Sequence, residues 1–114
     1  MNQAKRDDLY RMALEHQVVD AARDLLGGRI CVTEAARQIT GPAHELGSAL
    51  DEPFATFLGI DSETDAFPLG AVREHWSPTA LQRQDAERAR YEAAMRNCAL
   101  EGCREILRRF DAAA

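Results

Sequence analysis

SPTALQRQDAERARYEAAMRNCALEGCREILRRF, residues 77–110, is the stretch whose reading decides the fold. Ser77 is a helix N-cap, because its hydroxyl can accept a bond from a free backbone N–H. Pro78 suits the first helical position, where no N–H is needed. Only Gly102 interrupts the strong helix formers that follow. Leu81, Tyr91, Met95, Cys98, Ile106 and Phe110 are expected on one apolar stripe, widened late by Leu100, Cys103 and Leu107. Glu92–Arg96 and Glu105–Arg109 are i, i+4 pairs with the acid first, the favourable order. One helix therefore occupies the chain from Ser77 to Phe110, and the final DAAA is expected to fray. Trp76 precedes the cap, and Leu81 stands where a hydrophobic staple finds its second residue. Trp76 is thus expected to be a packing anchor between the preceding loop and this helix.

Upstream, the spacing predicts a helix over 3–26, with Leu9, Met12, His16, Val19 and Leu26 near one stripe and Ala13 and Ala22 beside it. Gly27-Gly28 supplies the left-handed residue that ends it. A second helix is expected over 30–40, with Val32, Ala35, Ala36 and Ile39 on its apolar face. Gly41-Pro42 is expected to break it. A third, about 42–50, would bring Ala43, Leu46 and Leu50 together. Asp51 would cap a further two turns carrying Phe54, Phe57 and Leu58 inward. An irregular segment then spans 59–76, bracketed by Gly59 and Gly70. RICV is too short for a strand, and FATFLGI lacks alternation. The expectation is one small all-α domain over 1–114, with a long C-terminal helix packed on the N-terminal one.

The 114 residues can bury a core without metal or disulfide staples. Hydrophobic content of 46% and charged content of 29% exclude wholesale disorder. No apolar run approaches the ~20 residues that span a bilayer, and MNQAKRDDLYRMALEH lacks the core of a signal peptide. A cytoplasmic protein with no membrane partner is expected. Among 14 basic residues only Lys5 is a lysine, and alanine is abundant, the composition of a GC-rich bacterial genome. Cys31, Cys98 and Cys103 form no CxxC pair. Cys98 and Cys103 are five apart, so a helix turns them ~140° from each other. All three are expected to be buried or half-buried reduced thiols.

Charge singles out the middle third. From residue 38 to 72 there is no Lys or Arg, while Glu45, Asp51, Glu52, Asp61, Glu63 and Asp65 give a formal −6 against −5 for the whole chain. No basic cluster exists, so no nucleic-acid partner is expected. These six residues are the candidate partner-binding site, for a basic protein steered by the acidic field.

DSETD at 61–65 invites a metal reading. An EF-hand loop counted from Asp61 fills positions 1, 3 and 5. It has Ala66 where the turn glycine belongs and Val72 where the bidentate acid belongs. GIDSET also resembles the first motif of proofreading-type 3′–5′ exonucleases, whose two carboxylates hold metal ions. That fold needs further acidic motifs on later strands, and here only a helix follows. His75 is the one histidine near enough in sequence to join Asp61 or Asp65. His16 and Asp20, at i, i+4, are expected to hydrogen-bond to each other. No serine elbow, positioned Cys–His pair or phosphate loop is present. No catalytic residue, metal or cofactor is assigned.

GIDSETDAFPLGAVREHWSPTAL, followed by a charged helix, resembles a family of small uncharacterised bacterial proteins over roughly residues 20–110. Its most specific portions are GIDSETD at 59–65 and REHWS at 73–77. The resemblance implies a stand-alone cytoplasmic protein whose unusual segment is 59–77, and carries no activity. The expectation is a non-enzymatic module that occludes a protein partner, a bacterial toxin-neutralising immunity protein being one concrete form. The alternatives are a metal-dependent hydrolase built on Asp61, Glu63, Asp65 and His75, and a homodimer paired through its long helix.

Overall fold

Four α-helices and one short 3-10 helix account for the regular structure of residues 2–110, which the computed structural model describes, and no strand occurs among them. They are α1 (Gln3–Leu26), α2 (Val32–Glu45), α3 (Phe54–Thr64), the 3-10 helix Gly70–His75, and α4 (Pro78–Phe110). The protein is a small all-α domain whose long C-terminal helix packs on the N-terminal one. The α4 helix runs for 33 residues, ~50 Å at 1.5 Å per residue, and so sets the 53 Å long dimension. The α1 helix packs on α2 and α4, and α3 lies against α2 and α4.

Helix ends follow local chemistry. The Asn2 side chain accepts from the Lys5 N–H at 2.9 Å, capping α1. At its other end Gly28 takes φ 73°, Arg29 N–H returns to the Asp24 carbonyl, and Gly28 N–H to that of Leu25. This is the double bond of a Schellman stop, as Gly27-Gly28 leads one to expect.

The α2 helix differs from its expected form. It runs straight through Gly41-Pro42 to Glu45, with Pro42 buried inside it. A mid-helix proline forfeits one backbone bond, and here burial of the apolar face 32–43 outweighs that loss. The true stop is Gly47 at φ 74°, with Ser48 N–H on the Ala43 carbonyl and Gly47 N–H on that of His44. No separate third helix forms over 42–50. Leu50, expected beside Ala43 and Leu46 on one helix face, is 84% exposed, while Ala43 is buried. At the start, Cys31 Sγ accepts from Glu34 N–H, and the Glu34 carboxylate accepts from Cys31 N–H, a capping box. Glu92 of α4 adds an acceptor 2.9 Å from the Thr33 N–H, so it serves α2 instead of facing Arg96 along its own helix.

The core cluster is built from Val18, Ala22 and Leu25 of α1, Val32, Ala36 and Ile39 of α2, Phe54, Phe57 and Ile60 of α3, and Ala99, Cys103 and Ile106 of α4. Both expected stripes hold in part. On α1 Val19 and Ala22 are buried and Leu26 packs on the core, but Leu14, Val18, Ala21 and Leu25 complete the buried face, and Leu9 and Met12 are half-exposed at the surface. On α4 Cys103 and Ile106 are buried, with Tyr91, Met95, Leu100, Leu107 and Phe110 packed against the core, while Cys98 points outward and Ala99 and Gly102 join the buried register. Small residues widen both faces, Ala21 on α1 and Ala99 and Gly102 on α4. A Cβ on Gly102 would stand 2.8 Å from the Phe57 ring, so the glycine is a contact surface for phenylalanine.

Trp76 and Leu81 are both half-buried and lie outside the core cluster. Ser77 Oγ does accept from Ala80 N–H, at 3.2 Å, so the expected cap of α4 is present. The anchor of the preceding segment is Arg73. Its guanidinium meets both Asp85 oxygens at 2.8 Å and the Pro68 carbonyl at 3.2 Å.

Candidate functional site

The segment GIDSETD is helical, not a loop. The α3 helix continues past Gly59 to Thr64, because Ile60 and Thr64 extend the buried face begun by Phe54 and Phe57. A single interior glycine costs only ~1 kcal/mol against alanine, less than burying Ile60 returns. Thr64 turns its hydroxyl back to the Ile60 carbonyl at 2.7 Å. The helix then ends against α2, where Arg37 donates to the carbonyls of Thr64 and Phe67 at 2.9 and 2.8 Å. A cation on the C-terminal carbonyls also answers the negative end of the helix dipole. The irregular span shrinks to the short connection before the 3-10 helix.

Helical periodicity divides the three carboxylates. Asp61 and Asp65 are i, i+4 and share a side, while Glu63 points roughly opposite. Asp61 is half-buried, and burial raises its carboxyl above the ordinary value. Arg37 opposes that rise, Asp65 adds to it, and His44 opposes it. The Asp61–Asp65 side therefore faces α2 along the stretch from Arg37 to His44. Glu63 lies on the α4 side, beside Tyr91. Burial first, and the Glu63 carboxylate second, push the Tyr91 phenol upward. The enclosed hydroxyl completes no hydrogen bond of good geometry.

The remaining acids frame the α2–α3 turn. Glu45 is exposed and accepts from the Tyr10 hydroxyl at 2.6 Å, which ties α1 to the end of α2. Asp51 is exposed beside Leu50, and His44, Gly47, Ala49, Leu50 and Asp51 line a shallow hollow of about 480 Å³. Asp51 does not cap α3 with its side chain. Glu52 turns along α3 to accept from Thr56 at 2.7 Å, and its carbonyl receives Arg109 at 3.0 Å. Of the six candidate residues, Glu45 and Asp51 thus stand at the α2–α3 turn with His44 and Leu50, while Asp61 and Asp65 lie farther along α3, on the side facing Arg37. Glu52 and Glu63 are turned toward α4.

His75 sits exposed at the end of the 3-10 helix. Among the described residues no three of His, Cys, Asp and Glu stand close enough to hold one metal ion. His16 is exposed and lines a hollow with Asp20, where a partly buried imidazole bonded to the carboxylate was expected. The thiols divide as well. Burial pushes Cys31 and Cys103 each up to about 12, so both are protonated at neutral pH and poor nucleophiles. Cys98 is exposed and donates to the Met95 carbonyl at 3.1 Å.

The site contains residues that sequence reasoning passed over. Arg37 bounds the basic-free window and bonds the Thr64 and Phe67 carbonyls at the end of α3. Tyr10 holds Glu45, and Leu50 projects beside Asp51. Only the Cys31–Glu34 box had a local signal, the three-residue spacing to a glutamate, with a thiol in place of the usual hydroxyl. None of the described helices is long and apolar enough to cross a membrane. No family model, curated protein or solved structure matches the chain.

Proposed function

We propose that the chain is a non-enzymatic module that binds a basic protein and occludes it, with the face formed by the end of α2, the α2–α3 turn and α3 as the docking surface. A bacterial toxin-neutralising immunity protein is one concrete form of such a module. The observation that carries the reading is Leu50, 84% exposed on an ordered turn beside Asp51. An exposed apolar side chain on an acidic face suits the anatomy of an interface, an apolar centre with polar surroundings. Asp51 adjoins Leu50, Glu45 stands at the same turn, and Asp61 and Asp65 extend the acidic surface along α3. No Lys or Arg lies between 38 and 72, and Arg37, held on the Thr64 and Phe67 carbonyls, offsets part of the charge at Asp61. Like-signed charge over a face steers an oppositely charged partner and raises its rate of encounter.

The test takes the product of the gene adjacent to this one and measures its binding by calorimetry over a salt series. Wild type should weaken as the Debye length shrinks below ~8 Å, and the Asp61→Lys/Asp65→Lys protein should bind at least ~10-fold less tightly at low salt. Leu50→Ser should lose affinity through faster dissociation, with the same melting temperature. Equal binding of wild type and the charge-reversed protein at every salt concentration removes this face from consideration.

A further inference from the structure

His44 is the only histidine between residues 38 and 72, a stretch without Lys or Arg. It is therefore the one side chain of that stretch that can take up positive charge. The structure sets it between the acids of the α2–α3 turn and those of α3. It is exposed in the last turn of α2 and lines the hollow with Gly47, Leu50 and Asp51. It also stands close enough to Asp61 of α3 for its charge to act on that carboxyl. The other charged groups around it are mostly acidic. Glu45 adjoins it on α2 and is held by Tyr10 of α1. Asp51 approaches from the turn, and Asp61 from α3, with Asp65 one turn beyond. Arg37 lies about two turns back along α2, fixed on the Thr64 and Phe67 carbonyls.

We propose that His44 makes the acidic face pH-sensitive, proton uptake by its imidazole weakening the hold on a basic partner. The inference rests on the reading of this face as a docking surface. Histidine is the side chain that changes charge between pH ~5 and ~8, where ordinary carboxylates stay ionised. Neutral, His44 leaves the acids of the face unopposed on its side of α2. Protonated, it cancels one of them and puts a cation beside Leu50. A partner cation drawn by Asp51 or Asp61 then meets a like charge, which disfavours the contact and slows the encounter. Burial raises the Asp61 carboxyl, so its own proton uptake on acidification works in the same direction. One unit charge at ~4 Å is worth a factor of ~5 in water, which sets the size of the effect.

The probe is a hexa-arginine peptide titrated into the full chain at pH ~7.5 and at pH ~5.5, on either side of the histidine range. Wild type should bind it about 5-fold more weakly at the lower pH. His44→Gln should bring that ratio to within ~2-fold, because the group that gains charge is gone. His44→Lys should also flatten it, but by weakening binding at both pH values, since its charge is permanent. His75→Gln should keep the wild-type ratio. A ratio that survives in His44→Gln, or that disappears in Asp61→Asn instead, overturns the proposal and leaves the acidic face standing as a docking surface. Wild type that fails to bind the peptide at either pH, or an Asp61→Lys/Asp65→Lys protein that binds it equally well, overturns both.

Discussion

The two halves of α4 are one continuous helix held by opposite kinds of force. From Met95 to Phe110 the helix is gripped by apolar contact, with Ala99, Gly102, Cys103 and Ile106 buried against α1 and α3. From Pro78 to Glu92 it buries no residue and is held by polar bonds, Asp85 to Arg73 and Glu92 to the Thr33 N–H. Apolar burial is indifferent to pH and to moderate salt, whereas charge-assisted bonds depend on protonation. The C-terminal half therefore sets whether the protein folds. The N-terminal half sets how the 65–76 connection, and with it the end of α3, is placed.

The largest expected effect falls in the apolar half. Phe57 is fully buried with its ring against Gly102. Phe57→Ala removes that ring and leaves a void no neighbour can fill without moving α4. It should cost ~3–5 kcal/mol, the usual range for deleting a buried aromatic, read as a lower urea midpoint. The loss should be the same at pH 7 and pH 5. A pH-dependent loss would show that the two halves are not separable in this way.

Glu92→Ala is expected next, at ~1–3 kcal/mol, because it strands a buried backbone donor at the start of α2. Thr33 is fully buried, so water does not replace the lost acceptor. Glu92→Gln keeps an oxygen at the same reach and should recover most of the loss, which distinguishes a cap from a general charge effect. If the glutamine variant is as damaged as the alanine one, charge and not the bond holds the half together.

How far the sequence disclosed this arrangement follows the same division. The all-α class, the first helix with its Gly27-Gly28 stop and the Ser77 cap were legible, because each rests on a local rule. The stripe of α1 was legible at Val19, Ala22 and Leu26 and misplaced at its N-terminal end, where large apolar residues drew attention to Leu9 and Met12. Ala21 completes the true face, and a small residue reveals itself only when a partner helix is in place. GIDSETD read as a loop because its acids and glycine outweighed the spacing of Phe57, Ile60 and Thr64. Gly41-Pro42 outweighed Gly47 for the same reason. At the site, helical geometry groups Asp61 with Asp65 and separates Glu63, a division that followed once the segment was known to be helix. The engagement of Arg37 with α3 and the outward turn of Leu50 depend on tertiary placement, and no pattern along the chain announced either.

The smallest effect tests the polar half at its outer end, and its sign is set by proton linkage. The guanidinium of Arg73 is the largest influence on Asp85 and holds its carboxyl below the ordinary value. A carboxylate whose folded value is depressed binds its proton less readily in the native state than in the unfolded chain. Its contribution is therefore full above the ordinary carboxylate value near ~4 and disappears as pH falls through the depressed folded value. Both side chains are about one-third exposed, at 32% and 36%, so solvent screens the pair and the effect on global stability is small. Asp85→Asn should lower the melting temperature slightly at pH 7 and not at all at pH 2. The sharper readout is local. Arg73 also donates to the Pro68 carbonyl, so losing Asp85 loosens the whole connection. Amide exchange at residues 68–76 should accelerate at pH 7, while that of Ala99–Ile106 stays as in wild type. Equal acceleration in both stretches would mean that the ion pair supports the apolar half as well, and the two halves of α4 would then be one cooperative unit.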